Sequence, residues 1–165
     1  METVSLKSRA IRLLARREHS RAELRRKLLG SSRDADVAAS VDAVLDVLET
    51  ENWLSDRRFA ELFVHSRAER LGGARLAREL FEKGVDRDVA NDLLEPLRAA
   101  ELDRAYALWR RRFGNPPLDR AERGRHGRFL IQRGFSPAIV RQVFDRAIGH
   151  ERTADCHGDC PSSLS

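Results

Sequence analysis

One ten-residue stretch occurs twice, fifty residues apart, and limits what this chain can fold into. Leu80-Phe81-Glu82-Lys83-Gly84-Val85-Asp86-Arg87-Asp88-Val89 is repeated in pattern by Leu130-Ile131-Gln132-Arg133-Gly134-Phe135-Ser136-Pro137-Ala138-Ile139. Each copy has an apolar pair, a base, a glycine, an apolar residue, a capping residue and a new apolar face. The pattern predicts a helix stopped by glycine and a second helix started at once. Gly84 and Gly134 can take the left-handed conformation that ends a helix. Asp86 and Ser136 can accept from the free N–H groups of the next helix, and Pro137 suits its first position. The apolar face beyond the cap repeats as well: Val89, Leu93 and Leu94 correspond to Ile139, Val143 and Phe144. Such a repeat predicts tandem copies of one small helical module.

A weaker third copy lies upstream. Ser20-Arg21-Ala22-Glu23 has the form of a capping box, with the serine accepting from the third N–H and the glutamate reaching back. It follows a helix over residues 5–18 and opens a second whose buried side is Leu24 and Leu28. The turn position holds Ser32 instead of glycine, and Gly30 stops the helix two residues early. Val37, Val41, Val44, Leu45 and Leu48 form the core face of the third helix. Ser55 caps a fourth helix bearing Phe59, Leu62 and Phe63, and Trp53 before it is expected to wedge the first two units together. A fifth helix covers Ala74–Lys83, and a sixth runs from Asp86 to near Pro96. The seventh spans about 98–112, carrying Leu102, Ala105, Tyr106, Trp109 and Phe113 at helical spacing. The eighth starts at Asp119, and its Gly124 and Gly127 each cost about 1 kcal/mol relative to alanine but allow close packing. The ninth starts at Ser136-Pro137. The fold class is therefore all-α, with three tandem three-helix units over 5–50, 55–97 and 99–149. The polar remainder, 150–165, is expected to be disordered.

Charge is unevenly distributed. Residues 1–30 carry nine bases and three acids, 31–103 ten bases and seventeen acids, and 104–150 eleven bases and three acids. A basic front, an acidic middle and a basic end suit a partner bearing both signs, such as a protein–nucleic acid assembly. The basic clusters are Arg16-Arg17 with Arg21, Arg25, Arg26 and Lys27; Arg110-Arg111-Arg112; and Arg120, Arg123, Arg125, Arg128 and Arg133. Guanidinium forks suit phosphates and carboxylates, and ordinary solvated helix faces are the competing explanation. Asp86, Asp88 and Asp92 fit helix first turns, where carboxylates suit the dipole. Few aromatics and no complete DNA-binding motif argue against base-specific readout.

There is no phosphate loop and no nucleophile elbow, so neither an enzyme nor a cofactor is expected. His126 reads as a hydrogen-bonded core histidine and His19 as a positional residue. Cys156, His157 and Cys160 supply three soft ligands where a structural zinc site takes four. No apolar run reaches membrane-spanning length, and Met1–Arg9 lacks a signal-peptide centre; a cytoplasmic protein with no membrane partner is expected.

These residues resemble a known family. Arg16-Arg17-Glu18-His19-Ser20-Arg21-Ala22-Glu23-Leu24 is similar to the signature of RecX, the regulator of the bacterial recombinase RecA. Trp53-Leu54-Ser55-Asp56, with Arg58-Phe59-Ala60 and Ser66-Arg67, resembles that family's second-unit entry. Leu130 with Arg133-Gly134-Phe135-Ser136 resembles its third-unit turn. Ser32 departs from the family's lysine–glycine turn, and the Cys-containing tail has no counterpart. The resemblance implies an elongated, curved, right-handed or solenoid-like arrangement of the units. It implies a protein lying in the groove of the RecA filament on single-stranded DNA and implies no enzymatic activity; a monomer, with double-stranded DNA as a further ligand, is also expected. Filament growth, ATP hydrolysis and strand exchange would be limited, placing the protein in homologous recombination, DNA repair and the SOS response. The alternatives are a nucleic-acid-binding helical protein independent of RecA and a protein-interaction scaffold. On this reading, reversing the charges of Arg21 and Arg25 weakens inhibition without changing the melting temperature.

Overall fold

The computed structural model describes residues 2–30 and 32–155. Among them are nine helices and no strand: α1 (Glu2–Leu14), α2 (Arg21–Leu29), α3 (Ala35–Thr50), α4 (Asp56–Arg67), α5 (Gly73–Glu82), α6 (Arg87–Ala99), α7 (Glu101–Phe113), α8 (Arg120–Gln132) and α9 (Pro137–Asp155). The helices begin where side chains can replace missing backbone partners. Ser20 Oγ accepts from the Glu23 N–H at 3.1 Å. Asp34 accepts from Asp36 at 2.9 Å, Ser55 from Arg58 at 3.2 Å and Asp86 from Asp88 at 2.8 Å. Asp119 and Ser136 cap α8 and α9 through the N–H groups of Glu122 and Ile139. Gly30 closes α2 at φ 58°. Gly84 and Gly134 stand at φ 80° and 87°, the backbone their repeat predicts. After each, an N–H returns to the helix just ended: Val85 to the Leu80 carbonyl at 3.1 Å, and Phe135 to that of Leu130 at 3.2 Å. This pairing satisfies carbonyls that the helix end would leave open.

The chain forms two compact units, one of residues up to Arg67 with Leu76–Pro96, the other of Ala68–Arg75 with the chain from Leu97 onward. In the first unit, α1, α2 and α3 enclose Ala10, Leu24, Leu28, Val41, Val44, Leu45, Leu48 and Leu54. Phe59, Phe63, Leu76, Leu80, Val85 and Leu94 are also buried there. In the second unit, α7, α8 and α9 enclose Tyr106, Leu108, Trp109, Leu130, Phe135, Val143 and Phe144. A Cβ added at Gly127 would lie 3.8 Å from Val140 Cγ1, an ordinary contact, so alanine would fit there and the approach of α8 to α9 does not depend on this glycine, unlike the expectation from sequence.

Four details differ from the expected ones, the first being that α1 spans Glu2–Leu14 where the sequence predicts a helix over 5–18. Trp53 is 52% exposed and is no wedge; its neighbour Leu54, at 2%, fills the core instead. Asn52 turns the chain at φ 61°, and the N–H groups of Trp53 and Leu54 both reach the Leu48 carbonyl, which sends the second side chain inward. The helix expected to stop near Pro96 continues to Ala99 with the proline inside it. The ninth helix continues past residue 149 to Asp155. The rest of the expected disordered tail, with Cys156, His157 and Cys160, lies outside the described residues.

The glycine turns also act as docking elements. In the first unit the Lys83 carbonyl accepts from Ser20 Oγ at 2.6 Å, and Lys83 Nζ meets Glu23 at 2.5 Å. A Cβ at Gly84 would stand 2.5 Å from that of Ala22. In the second unit the Arg133 carbonyl accepts from the Gly72 N–H at 2.8 Å, and Arg75 donates to the Gln132 carbonyl at 2.7 Å. A Cβ at Gly134 would lie 2.3 Å from that of Arg75. Twice, then, a glycine turn sits against the start of a helix more than fifty residues upstream.

Candidate nucleic-acid interface

The front cluster splits by chemistry. Arg21 joins two carboxylates of α3, Glu49 at 2.5 Å and Asp46 at 2.7 Å. Arg25 holds both oxygens of Asp42, at 2.7 and 3.0 Å. The Asp42 carboxyl is held below its usual range chiefly by the Arg25 hydrogen bond. Arg17 reaches Glu23 at 3.3 Å and the Glu18 carbonyl at 3.0 Å. Arg26 folds back on the Ala22 carbonyl, and Arg16 and Lys27 are exposed. The acids of α3 thus neutralise Arg21 and Arg25 of α2 within one unit, and these two act there as ties between helices. Charge reversal at both must therefore affect stability, unlike the expectation from sequence.

Glu23, the last residue of the capping-box pattern, is not used as the pattern predicts. Its carboxylate receives Lys83, Arg17 and the Nδ1 of buried His19 at 3.3 Å. Burial pushes its pKa up, but the hydrogen bond and charge of Lys83 prevail and leave it lowered. Sequence reasoning missed Lys83 as the partner, although its place before the glycine of the turn was a usable signal. It also missed the tie from Arg58 to Glu18 at 2.6 Å, and Arg104. The half-buried Arg104 guanidinium donates to the carbonyls of Ala68, Leu71 and Leu97.

The basic end is arranged otherwise. Arg110, Arg111 and Arg112 are exposed in the last turn of α7. On α8, Arg123 stands 5.0 Å from the Phe144 ring and Arg125 meets Glu122 at 2.9 Å, while Arg120 and Arg128 are exposed. Arg133 lies over the Phe129 ring at 3.8 Å and donates to the Phe129 carbonyl at 3.4 Å. Beneath them His126, 3% exposed, stacks on Phe113 at 3.7 Å and accepts from Trp109 Nε1 at 3.4 Å. It is built into an aromatic core, and burial followed by the Arg125 charge lowers its pKa. The structure brings Arg111 and Arg112 together with Arg133, and leaves Arg123, Arg125 and Arg128 spread along α8. Among the described residues no group of three or more His, Cys, Asp or Glu could hold a metal ion. No described helix is long and apolar enough to cross a membrane.

Helical modules docked through glycine turns, with arginines on their outer faces, define the class: an all-helical tandem-module protein. Three family models match in order, the first, second and third three-helix domains of RecX, over residues 7–46, 55–94 and 99–144. The chain belongs to the RecX family. It is 51% identical over 152 residues to Regulatory protein RecX of Leptothrix cholodnii, covering 92% of this chain and 94% of that one. With the protein of the same name from Ralstonia nicotianae it shares 50% identity over 146 residues, 88% of this chain and 90% of that one. The crystal structure of RecX from Lactobacillus salivarius superposes with a TM-score of 0.72 at 18% identity, covering 88% of this chain and 96% of that chain. A second crystal structure, of regulatory protein RecX, gives 0.74 at 19% identity over 87% and 73% of the two chains. At those identities the superpositions establish the shared fold.

Proposed function

We propose that this protein is a non-enzymatic regulator of RecA that binds the groove of the RecA–single-stranded DNA filament and limits filament growth, ATP hydrolysis and strand exchange. It acts as a monomer in the cytoplasm. The observation that carries this reading is the ordered match of all three RecX domains across residues 7–144. Two features of the chain support it. The basic end, with eleven bases against three acids over 104–150, suits a polyanion. The buried histidines are packed against aromatic or carboxylate partners, Phe113 for His126 and Glu23 for His19, and the Ser20 hydroxyl next to His19 is engaged in capping α2 and in the Lys83 carbonyl bond.

The test adds the full chain to RecA, ATP and single-stranded DNA. The expected result is slower ATP hydrolysis and shorter filaments in electron micrographs at protein equimolar with RecA. Unchanged hydrolysis and filament length would refute the reading. DNA binding without any effect on RecA would favour a RecA-independent nucleic-acid-binding protein.

A further inference from the structure

Arg111, Arg112 and Arg133 line one surface cleft of about 470 Å3, together with Leu108 and Phe129. Among the described residues none of these three arginines takes part in an ion pair. This separates them from Arg21 and Arg25, whose charges are met by carboxylates. A guanidinium has five N–H donors. Arg133 uses one on the Phe129 carbonyl, while Arg111 and Arg112 have no described protein acceptor. Like charges are therefore gathered without a counter-charge. Burial and then the neighbouring Arg75 and Arg112 charges lower the Arg133 pKa, as expected of a crowded cation.

The lining also limits what the cleft can take. It offers planar donor forks and two apolar side chains, and no acceptor side chain. Donor forks match the oxygens of a phosphodiester, but without acceptors the cleft cannot read the donor edges of bases. The Phe129 face is already covered by Arg133, so it is not open to a stacking base. We propose that this cleft seats a backbone phosphate of single-stranded DNA, making the end of α7 and the end of α8 the DNA-facing part of the molecule. The proposal deepens the filament-binding reading and rests on it for the choice of DNA strand.

The test uses the full chain and a fluorescein-labelled thymidine oligonucleotide, with anisotropy followed across a salt titration. In the variant Arg111→Gln/Arg112→Gln the affinity is expected to fall about tenfold at low salt. The slope of log K against log salt should shrink by about 0.7 for each phosphate that the variant no longer neutralises. Both residues are exposed, so circular dichroism and melting temperature should match the parent. Unchanged affinity and slope in the variant would overturn the proposal. Inorganic phosphate should displace the oligonucleotide no better than chloride of equal ionic strength; displacement at micromolar phosphate would assign the cleft to a free anion and also overturn it. The measurement contains no RecA. The cleft can thus fail while the parent protein still slows RecA, and can hold when RecA is unaffected.

Discussion

Ser20 Oγ donates a 2.6 Å hydrogen bond to the carbonyl of Lys83, 63 residues away, while accepting from the N–H of Glu23. One hydroxyl thus starts α2 and holds the turn of the next module. Ser20 is wholly buried, so neither bond is exchanged with water at low cost. Ser20→Ala is expected to destabilise the protein by about 2 kcal/mol, from the lost cap and an unpaired carbonyl. Ser20→Thr should retain part of that stability. Urea denaturation of the three proteins measures the difference.

The two turn glycines should be more sensitive than the glycine that ends α2. Gly30, Gly84 and Gly134 all have positive φ, so alanine costs about 1–2 kcal/mol of backbone strain at each. At Gly30 an added Cβ meets nothing within 4 Å, whereas at Gly84 and Gly134 it would approach another Cβ at 2.5 and 2.3 Å. Gly84→Ala and Gly134→Ala should therefore lower the urea midpoint well beyond Gly30→Ala. Equal shifts in all three would show that the close docking of the turns contributes nothing.

Arg21 and Arg25 are ties across α2 and α3, so their charge reversal should lower the melting temperature. The effect at Arg25 comes from its bidentate bond to Asp42. Arg25→Asp combined with Asp42→Arg should recover part of the loss, and Arg25→Asp alone should not. Calorimetry of the single and double variants forms the thermodynamic cycle that isolates the pair.

Arg104 supplies donors to three backbone carbonyls at helix ends, with distances of 3.1 Å to Leu71 and 3.2 Å to Leu97. Arg104→Leu should cost about 3 kcal/mol, because carbonyls lose their partners in a half-buried site. Arg104→Lys should recover little, since an ammonium lacks the fork that reaches separate acceptors. Thermal melts followed by circular dichroism would show this, and a melting temperature equal to the parent's in Arg104→Leu would contradict it.

Stability should fall as the medium is acidified below about pH 6.5. Burial, then the Arg125 charge, holds His126 below its ordinary 6.5; burial and Arg17 do the same for His19 against the pull of Glu23. The unfolded chain takes up these protons near 6.5 and the folded chain only at lower pH. The contribution is therefore complete above 6.5 and declines towards the depressed folded values. Glu23 follows at lower pH: its folded pKa lies below 4.5, so its contribution is complete above 4.5 and lost as pH falls further. Urea midpoints between pH 7.5 and 5 measure the histidine window, and His126→Gln should flatten part of the slope.

Most capped helix starts and the glycine turns were legible because the groups that set them lie within a few residues, whereas the ends of α1, α6 and α9, which carry no such glycine turn, were not. Ser55, Asp86, Asp119 and Ser136 each bond an N–H two or three positions on, and Gly84 and Gly134 take the backbone that their repeat requires. The fate of side chains was not legible in the same way. Trp53 and Leu54 are adjacent and both apolar, yet one is exposed and the other buried, a choice made by the turn at Asn52.

Charge shows the division most clearly. As sequence, the arginines of α2 and those at the end of α7 are similar basic clusters. Arg25 finds Asp42 at a separation of 17 residues and Arg21 finds Glu49 at 28, because α3 lays its acids along α2. Arg111 and Arg112 meet another arginine, Arg133, across their cleft. The chain by itself determined where the capped helices start and where the glycine turns repeat, since backbone hydrogen bonding at those points is local. Only tertiary structure decided which cations are neutralised, since that depends on which helix faces meet, and pairing falls off within a few ångströms.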